Sequence, residues 1–180
     1  MDSKLVIAMV SISVGWLLAQ LTEVWKSIYK TRKLKSALKA ELSDILRKAN
    51  GAKKYCLEFR DGAKESTNGP ITPQPIKTLI FDKFYHEMYT KFKPEERDAI
   101  STTYGHIENL NKLISEYKFE NRFESYANMY SSTLWAIAWV EAQLENSSTS
   151  LRKEKVQEVN EHIRQYAEEM ERLFSQAKRV

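Results

Sequence analysis

Cysteine, proline and glycine are all scarce in this chain of 180 residues: one Cys, four Pro and five Gly. The lone Cys56 excludes an internal disulfide and a metal-thiolate framework, and it suits a reducing compartment. So few Pro and Gly exclude a loop-rich or low-complexity chain and leave long stretches free to be helical. No segment alternates apolar and polar residues with period two, so nothing competes with helix along the chain. Missing too are a phosphate-cradling Gly loop, a nucleophile elbow and a Cys/His pairing.

One stretch lacks ionisable side chains altogether. Residues 5–22, LVIAMVSISVGWLLAQLT, lie between Lys4 and Glu23. At about 1.5 Å per residue these positions give roughly 27 Å of helix, enough to cross a bilayer. Nine of them are Leu, Ile or Val, whose contribution to insertion outweighs that of Ser11, Ser13 and Gln20. The rival reading is a cleaved signal peptide. Against it stand a nearly neutral leading segment, the poor cleavage site Leu17-Leu18-Ala19 and a basic cluster that follows directly.

Charge sets the expected orientation. Only Asp2 and Lys4 precede the run, whereas Lys26, Lys30, Arg32, Lys33, Lys35 and Lys39 follow it. The positive-inside bias places the N-terminus outside and everything after Trp25 in the cytoplasm, giving a single-pass protein of the inner (cell) membrane. From Lys26 to Lys64 there are 12 Lys and Arg against 4 Asp and Glu, a balance of +8; from Glu65 onward the count is 15 against 18, a balance of −3. The positive charge is therefore juxtamembrane, and Trp25, Lys26, Lys30, Arg32, Lys33 and Lys35 are expected to contact the inner leaflet and its anionic lipid headgroups. Nucleic acid is not expected as a partner, because the mildly acidic remainder offers no basic face.

Within the run, Ser11, Gly15 and Ala19 recur every four residues, with Gln20 beside them. A strip of small residues of this kind lets two helices approach closely in lipid, and Gln20 is placed to hydrogen-bond across the pair. Homo-oligomerisation through the membrane is one expectation; the plain alternative is that small residues are common in spans.

The cytoplasmic part reads as helix after helix. Leu34, Leu38, Leu42, Ile45, Ala49, Ala52, Cys56 and Phe59 keep a spacing of three or four, a stripe suited to one wall of a bundle rather than to a coiled-coil seam. The helix is expected to end near Gly62, where GAKESTNGPITPQP makes the one clear break. Ile76, Ile80, Phe84, Met88 and Phe92 then predict a short aromatic helix, whose Phe81, Tyr85 and Tyr89 form a candidate partner surface. Pro94 with Glu95 and Glu96 marks the next helix start, and Ile100, Thr103, Ile107, Leu110, Ile114 and Tyr117 its buried side. The stripes through Phe123, Tyr126, Tyr130, Leu134, Ile137 and Leu144 and through Ala127, Trp135, Ala138, Trp139 and Ala142 are too wide for a surface helix and predict a central one. Asn146-Ser-Ser-Thr-Ser is read as a break and cap. Val156, Val159, Ile163, Tyr166, Met170, Leu173 and Phe174 predict a last amphipathic helix.

The expected fold is all-α: an N-terminal transmembrane helix continuing into a cytoplasmic bundle of about four or five helices. Its parts are an anchor over 1–25, a basic juxtamembrane helix over 26–62, a loop over 63–75 and a bundle over 76–180.

Chemistry finds little footing. Asp82/His86 and Glu158/His162 are pairs four residues apart, but a helical di-iron site needs Glu-x-x-His twice and two more Glu. His106-Ile107-Glu108 imitates part of a zinc deaminase and lacks the Pro-Cys-x-x-Cys that supplies the remaining ligands. Helical ribonucleases are excluded as well, since no Arg stands four to six residues before any His. No catalytic, cofactor or metal residue is assigned, and no cofactor is expected.

An apolar N-terminal run, the basic continuation KLKSALKAELSDIL, a Pro-rich break and then FDKFYHEMY with Tyr104 and Leu110-Asn111-Lys112-Leu113 resemble small uncharacterised single-pass bacterial membrane proteins with an all-helical cytoplasmic domain. The likeness is architectural and carries no catalytic signature. It implies a membrane-tethered interaction module, an anchor or sensor subunit of a larger assembly, with phage defence as one setting. The partners expected are the lipid bilayer and a protein partner or second copy. An oligomerising effector that perturbs the membrane is the alternative reading, and an enzyme with an unrecognised helical site the third.

Overall fold

The computed structural model describes residues 3–65, 72–146 and 150–177. They form five α-helices: α1 (Ser3–Glu65), α2 (Leu79–Met88), α3 (Pro94–Ser115), α4 (Arg122–Asn146) and α5 (Lys153–Ala177). Short 3-10 turns follow α2 and precede α4, and no strand occurs among the described residues. The chain divides into two compact units, residues 1–38 and 39–180.

The first unit is helix alone. From Ile7 to Tyr29 its large apolar side chains stand exposed, Ile12 by 72%, Trp16 by 62% and Leu18 by 59%, while Leu34 is half-buried and Leu38 buried. Three of its hydroxyls are satisfied within the helix: Ser13 donates to the Met9 carbonyl, Thr22 to that of Leu18 and Thr31 to that of Ser27, each at 2.8–2.9 Å. Such back-bonding leaves those three hydroxyl protons without need of water. By length and composition α1 is the one helix among the described residues able to cross a membrane; an 18-residue window near its N-terminus has mean hydropathy 1.5 and is wholly unburied.

The second unit is an up-and-down bundle whose directions follow from residue numbers that meet. Gln143 reaches Ala99, His106 stacks near Trp135, and Asn109 bonds Ser132; one number rises as the other falls, so α3 and α4 are antiparallel. Glu141 with Lys155, Tyr130 with Tyr166 and Phe123 with Phe174 establish the same for α4 and α5. Ile76 with Asn111, Phe81 with Tyr104 and Tyr85 with Arg97 run α2 and its lead-in antiparallel to α3. The 39–65 portion of α1 instead parallels α5, since Cys56 meets Tyr166 and Arg60 meets Glu169.

Helix α4 lies at the centre, meeting α3, α5 and Phe59 of α1, whose ring stacks on Tyr126 at 3.9 Å. It is accordingly buried on more faces than its two predicted stripes: Met129, Ser132, Thr133, Ala136, Val140 and Gln143 are enclosed as well. The α1 stripe is buried from Leu42 through Ile45, Ala49 and Ala52 to Cys56; Leu34 and Leu38 belong to the first unit. On α3 the predicted face from Ile100 to Ile114 is buried, and Pro94 opens the helix.

Two boundaries differ from the sequence reading. Helix α1 continues to Glu65, past Gly62, because a single glycine costs a long helix only about 1 kcal/mol. Helix α2 begins at Leu79 and not at Ile76, since Asn111 clamps Ile76 in an extended segment: the Ile76 N–H donates to Asn111 Oδ1 at 2.7 Å and Asn111 Nδ2 donates to the Ile76 carbonyl at 2.8 Å. The middle of the predicted loop (66–71) and residues 147–149 of the predicted cap lie outside the described residues.

Candidate functional site

The membrane-compatible segment is the first candidate. Ser11, Gly15, Ala19 and Gln20 are all exposed, and a Cβ added at Gly15 would meet nothing within 4 Å. Trp25 is 72% exposed. Lys26 pairs with Glu23 at 2.9 Å; Lys30, Arg32 and Lys33 are exposed and Lys35 half-buried.

A second cluster forms where α1, α2 and α3 meet. The α2 N-terminus has no side-chain cap from its own Thr78, although the first turn of any helix carries unsatisfied N–H groups. Glu41 supplies the acceptor from α1: its Oε1 takes the Ile80 N–H at 2.6 Å, and its Oε2 takes the Phe81 N–H at 3.0 Å and the Tyr104 hydroxyl at 2.7 Å. A carboxylate beside a helix N-terminus also gains from the helix dipole. The Tyr104 phenol ionises far above its ordinary value of 10.0, through burial first and then through Glu41, which needs its proton and opposes a second negative charge.

Aromatic rings seal this cluster. Phe81 stacks on Tyr104 at 3.7 Å and on Tyr85 at 4.5 Å, and the Tyr85 hydroxyl donates to the Arg97 carbonyl at 3.3 Å. Of the candidate partner surface, Phe81 and Tyr85 are thus half-buried in an internal stack, while Tyr89 is 45% exposed under the Arg97 guanidinium, 4.4 Å from its ring.

A third group of polar side chains is buried between α3 and α4. Gln143 donates to the Ala99 carbonyl at 2.9 Å and to the Thr103 hydroxyl, which itself donates to Ala99 at 2.8 Å. Every polar atom named here has a partner, so the group fixes the register of two helices rather than offering an open site. On α5, the Tyr166 hydroxyl donates to the Cys56 carbonyl at 2.6 Å. Burial pushes the Cys56 thiol up to about 12, and burial holds His106 below its ordinary value of 6.5. His86 and His162 are exposed. Among the described residues no three His, Cys, Asp or Glu stand together as metal ligands would.

Sequence reasoning missed Glu41, Asn111 and Gln143, each acting on a residue 35 or more positions away. In sequence Glu41 is one acid on a charged helix face, and no local spacing marks its partners. Compared with family models, with curated proteins and with solved structures, the chain matches none of them.

Proposed function

We propose that this protein is a membrane-tethered helical interaction module: residues 5–22 cross the bilayer, the basic residues Lys26–Lys35 sit against anionic lipid at the inner face, and the helical domain works in the cytoplasm as a platform for protein partners. One observation carries the reading. Ile7, Met9, Val10, Ile12, Val14, Trp16, Leu17, Leu18 and Leu21 are each about half exposed or more, on a helix with no acid or base between residues 5 and 22. Exposed apolar surface that continuous is unfavourable in water, and hydrocarbon removes the penalty. The hydroxyl back-bonds of Ser13 and Thr22 suit the same medium.

Two measurements on the full chain test it. Alkaline carbonate extraction should leave the protein in the membrane pellet, and release into the supernatant would refute the span. A reporter active only outside the cytoplasm, fused after Val180, should stay silent; strong activity would reverse the orientation. Replacing Lys26, Lys30, Arg32, Lys33 and Lys35 together should weaken that orientation.

A further inference from the structure

The interaction-module reading leaves open what the bundle binds, and the surface between α4 and α5 bears on that question. Near the start of α4 and the end of α5 the Phe123 and Phe174 rings meet at 5.7 Å. Ala127 and Ala167 line the same surface. Residues that small leave a gap between the two helix ridges, floored by the buried Met170. The result is an open groove of about 410 Å³ with apolar walls.

Its rim has one sign. Glu120, Glu124 and Glu171 line the groove with Asn121, and among the described residues no Lys or Arg does. Four other acids of α5 are in ion pairs: Glu158 with Lys155, Glu161 and Glu168 with Arg164, and Glu169 with Arg60 and Arg172. The three rim carboxylates are in no ion pair among the described residues. Arg122, between Glu120 and Glu124 in sequence, lays its guanidinium over the Phe119 and Phe123 rings at 4.5 and 5.1 Å, and Arg172, next to Glu171, pairs with Glu169.

We infer that this groove docks a basic amphipathic helix of a partner protein, its apolar side lying along Phe123, Ala127, Ala167 and Phe174 and its Lys or Arg residues meeting Glu120, Glu124 and Glu171. Helix-in-groove binding joins apolar anchors in a cleft to a charged edge of matching sign, and the charges set partner choice and encounter rate more than raw affinity. The inference rests on the interaction-module reading and names the partner's chemistry.

The test uses the full chain in phosphatidylcholine nanodiscs, with empty discs as the control. The probes are a Leu/Lys amphipathic peptide of about 15 residues, roughly four helical turns, and its Leu/Glu counterpart. The Leu/Lys peptide should bind saturably, less tightly at higher salt, and the Leu/Glu peptide should not. Ala167→Trp, at an exposed position, should fill the groove and weaken binding by about tenfold or more. Glu120→Lys with Glu124→Lys and Glu171→Lys should exchange the preference between the two peptides. Circular dichroism confirms that each variant keeps its helix content. No saturable binding of the Leu/Lys peptide overturns the inference, and so does binding that both variants leave unchanged. Self-association of the bundle that Ala167→Trp abolishes would assign the groove to a second copy and overturn it equally. Carbonate extraction is read separately, so a failed membrane anchor and a failed groove give different results.

Discussion

Glu41→Ala should loosen α2 from the bundle by an amount that can be worked out. The substitution removes the acceptor of two backbone N–H groups and of the Tyr104 hydroxyl. Hydrogen bonds to a charged group contribute about 1.5–3 kcal/mol each, and a buried donor left without an acceptor costs about 1–3 kcal/mol. The cluster is only part-buried and α2 stays accessible to water, so the parts do not add in full; a net loss of about 2–4 kcal/mol is expected, somewhat above the usual cost of losing a helix cap. For a domain of this size that lowers Tm by about 5–15 °C if α2 unfolds together with the rest. Glu41→Gln, which keeps one acceptor oxygen, should lose roughly half as much. A cycle with Tyr104→Phe should return a coupling of about 1 kcal/mol, since the phenol and the carboxylate share one bond. Amide exchange in the full chain is the assay of choice because it separates local opening from global unfolding: in Glu41→Ala the Ile80 and Phe81 amides should exchange faster while those of α4 change less. Unchanged exchange at Ile80 and Phe81, or a loss under about 0.5 kcal/mol, would refute the role given to Glu41.

Three further outcomes are expected. Cys56, buried and with its thiol pushed up to about 12, should resist a thiol reagent at mildly alkaline pH and react fully once the chain is unfolded; prompt labelling of the folded protein would contradict its burial. His106 is held below 6.5 by burial, so the unfolded chain takes up its proton first: its contribution to stability is intact above pH 6.5 and is lost as pH falls from there through the folded value. His106→Asn should therefore flatten the decline in Tm between about pH 7.5 and pH 5, and an unaltered decline would show that other groups cause it. Gly15→Leu should abolish crosslinked dimers formed through the Ser11/Gly15/Ala19 strip while carbonate resistance persists, since it adds only apolar bulk; dimers that survive would place the interface elsewhere.

The helical elements were readable wherever periodicity had one clear buried face. Pro94 opens α3, the stripe from Ile100 to Ile114 is its buried side, and Val159, Tyr166, Met170 and Leu173 line α5. What periodicity could not carry was the central role of α4 in full. Its Ser132 and Gln143 are buried where α3 brings Asn109 and the Ala99–Thr103 turn to meet them, and its buried Thr133 bonds the Met129 carbonyl of the same helix; polar residues such as these carry no apolar period. The start of α2 was misplaced for a similar reason. Ile76 fits a helical stripe, yet the side chain of Asn111 occupies its backbone hydrogen-bonding groups, and tertiary context overrides local pattern. The aromatic surface of α2 was legible as a cluster but not as an internal stack, because Tyr104 and Arg97 come from another helix.

The pairing of Cys56 with Tyr166 also sets an order of events in the cell. Helices α2 to α5 meet neighbours close in sequence, so each pair closes a short loop soon after it is made. The bond from Tyr166 to Cys56 spans 110 positions, and ribosomes add about 5–20 residues per second, so α1 waits roughly 5–20 s for α5 to emerge. Through that interval Cys56 and Arg60 have no α5 to meet. The helix made first is completed last, and a chaperone or the translocation machinery has that interval in which to hold it.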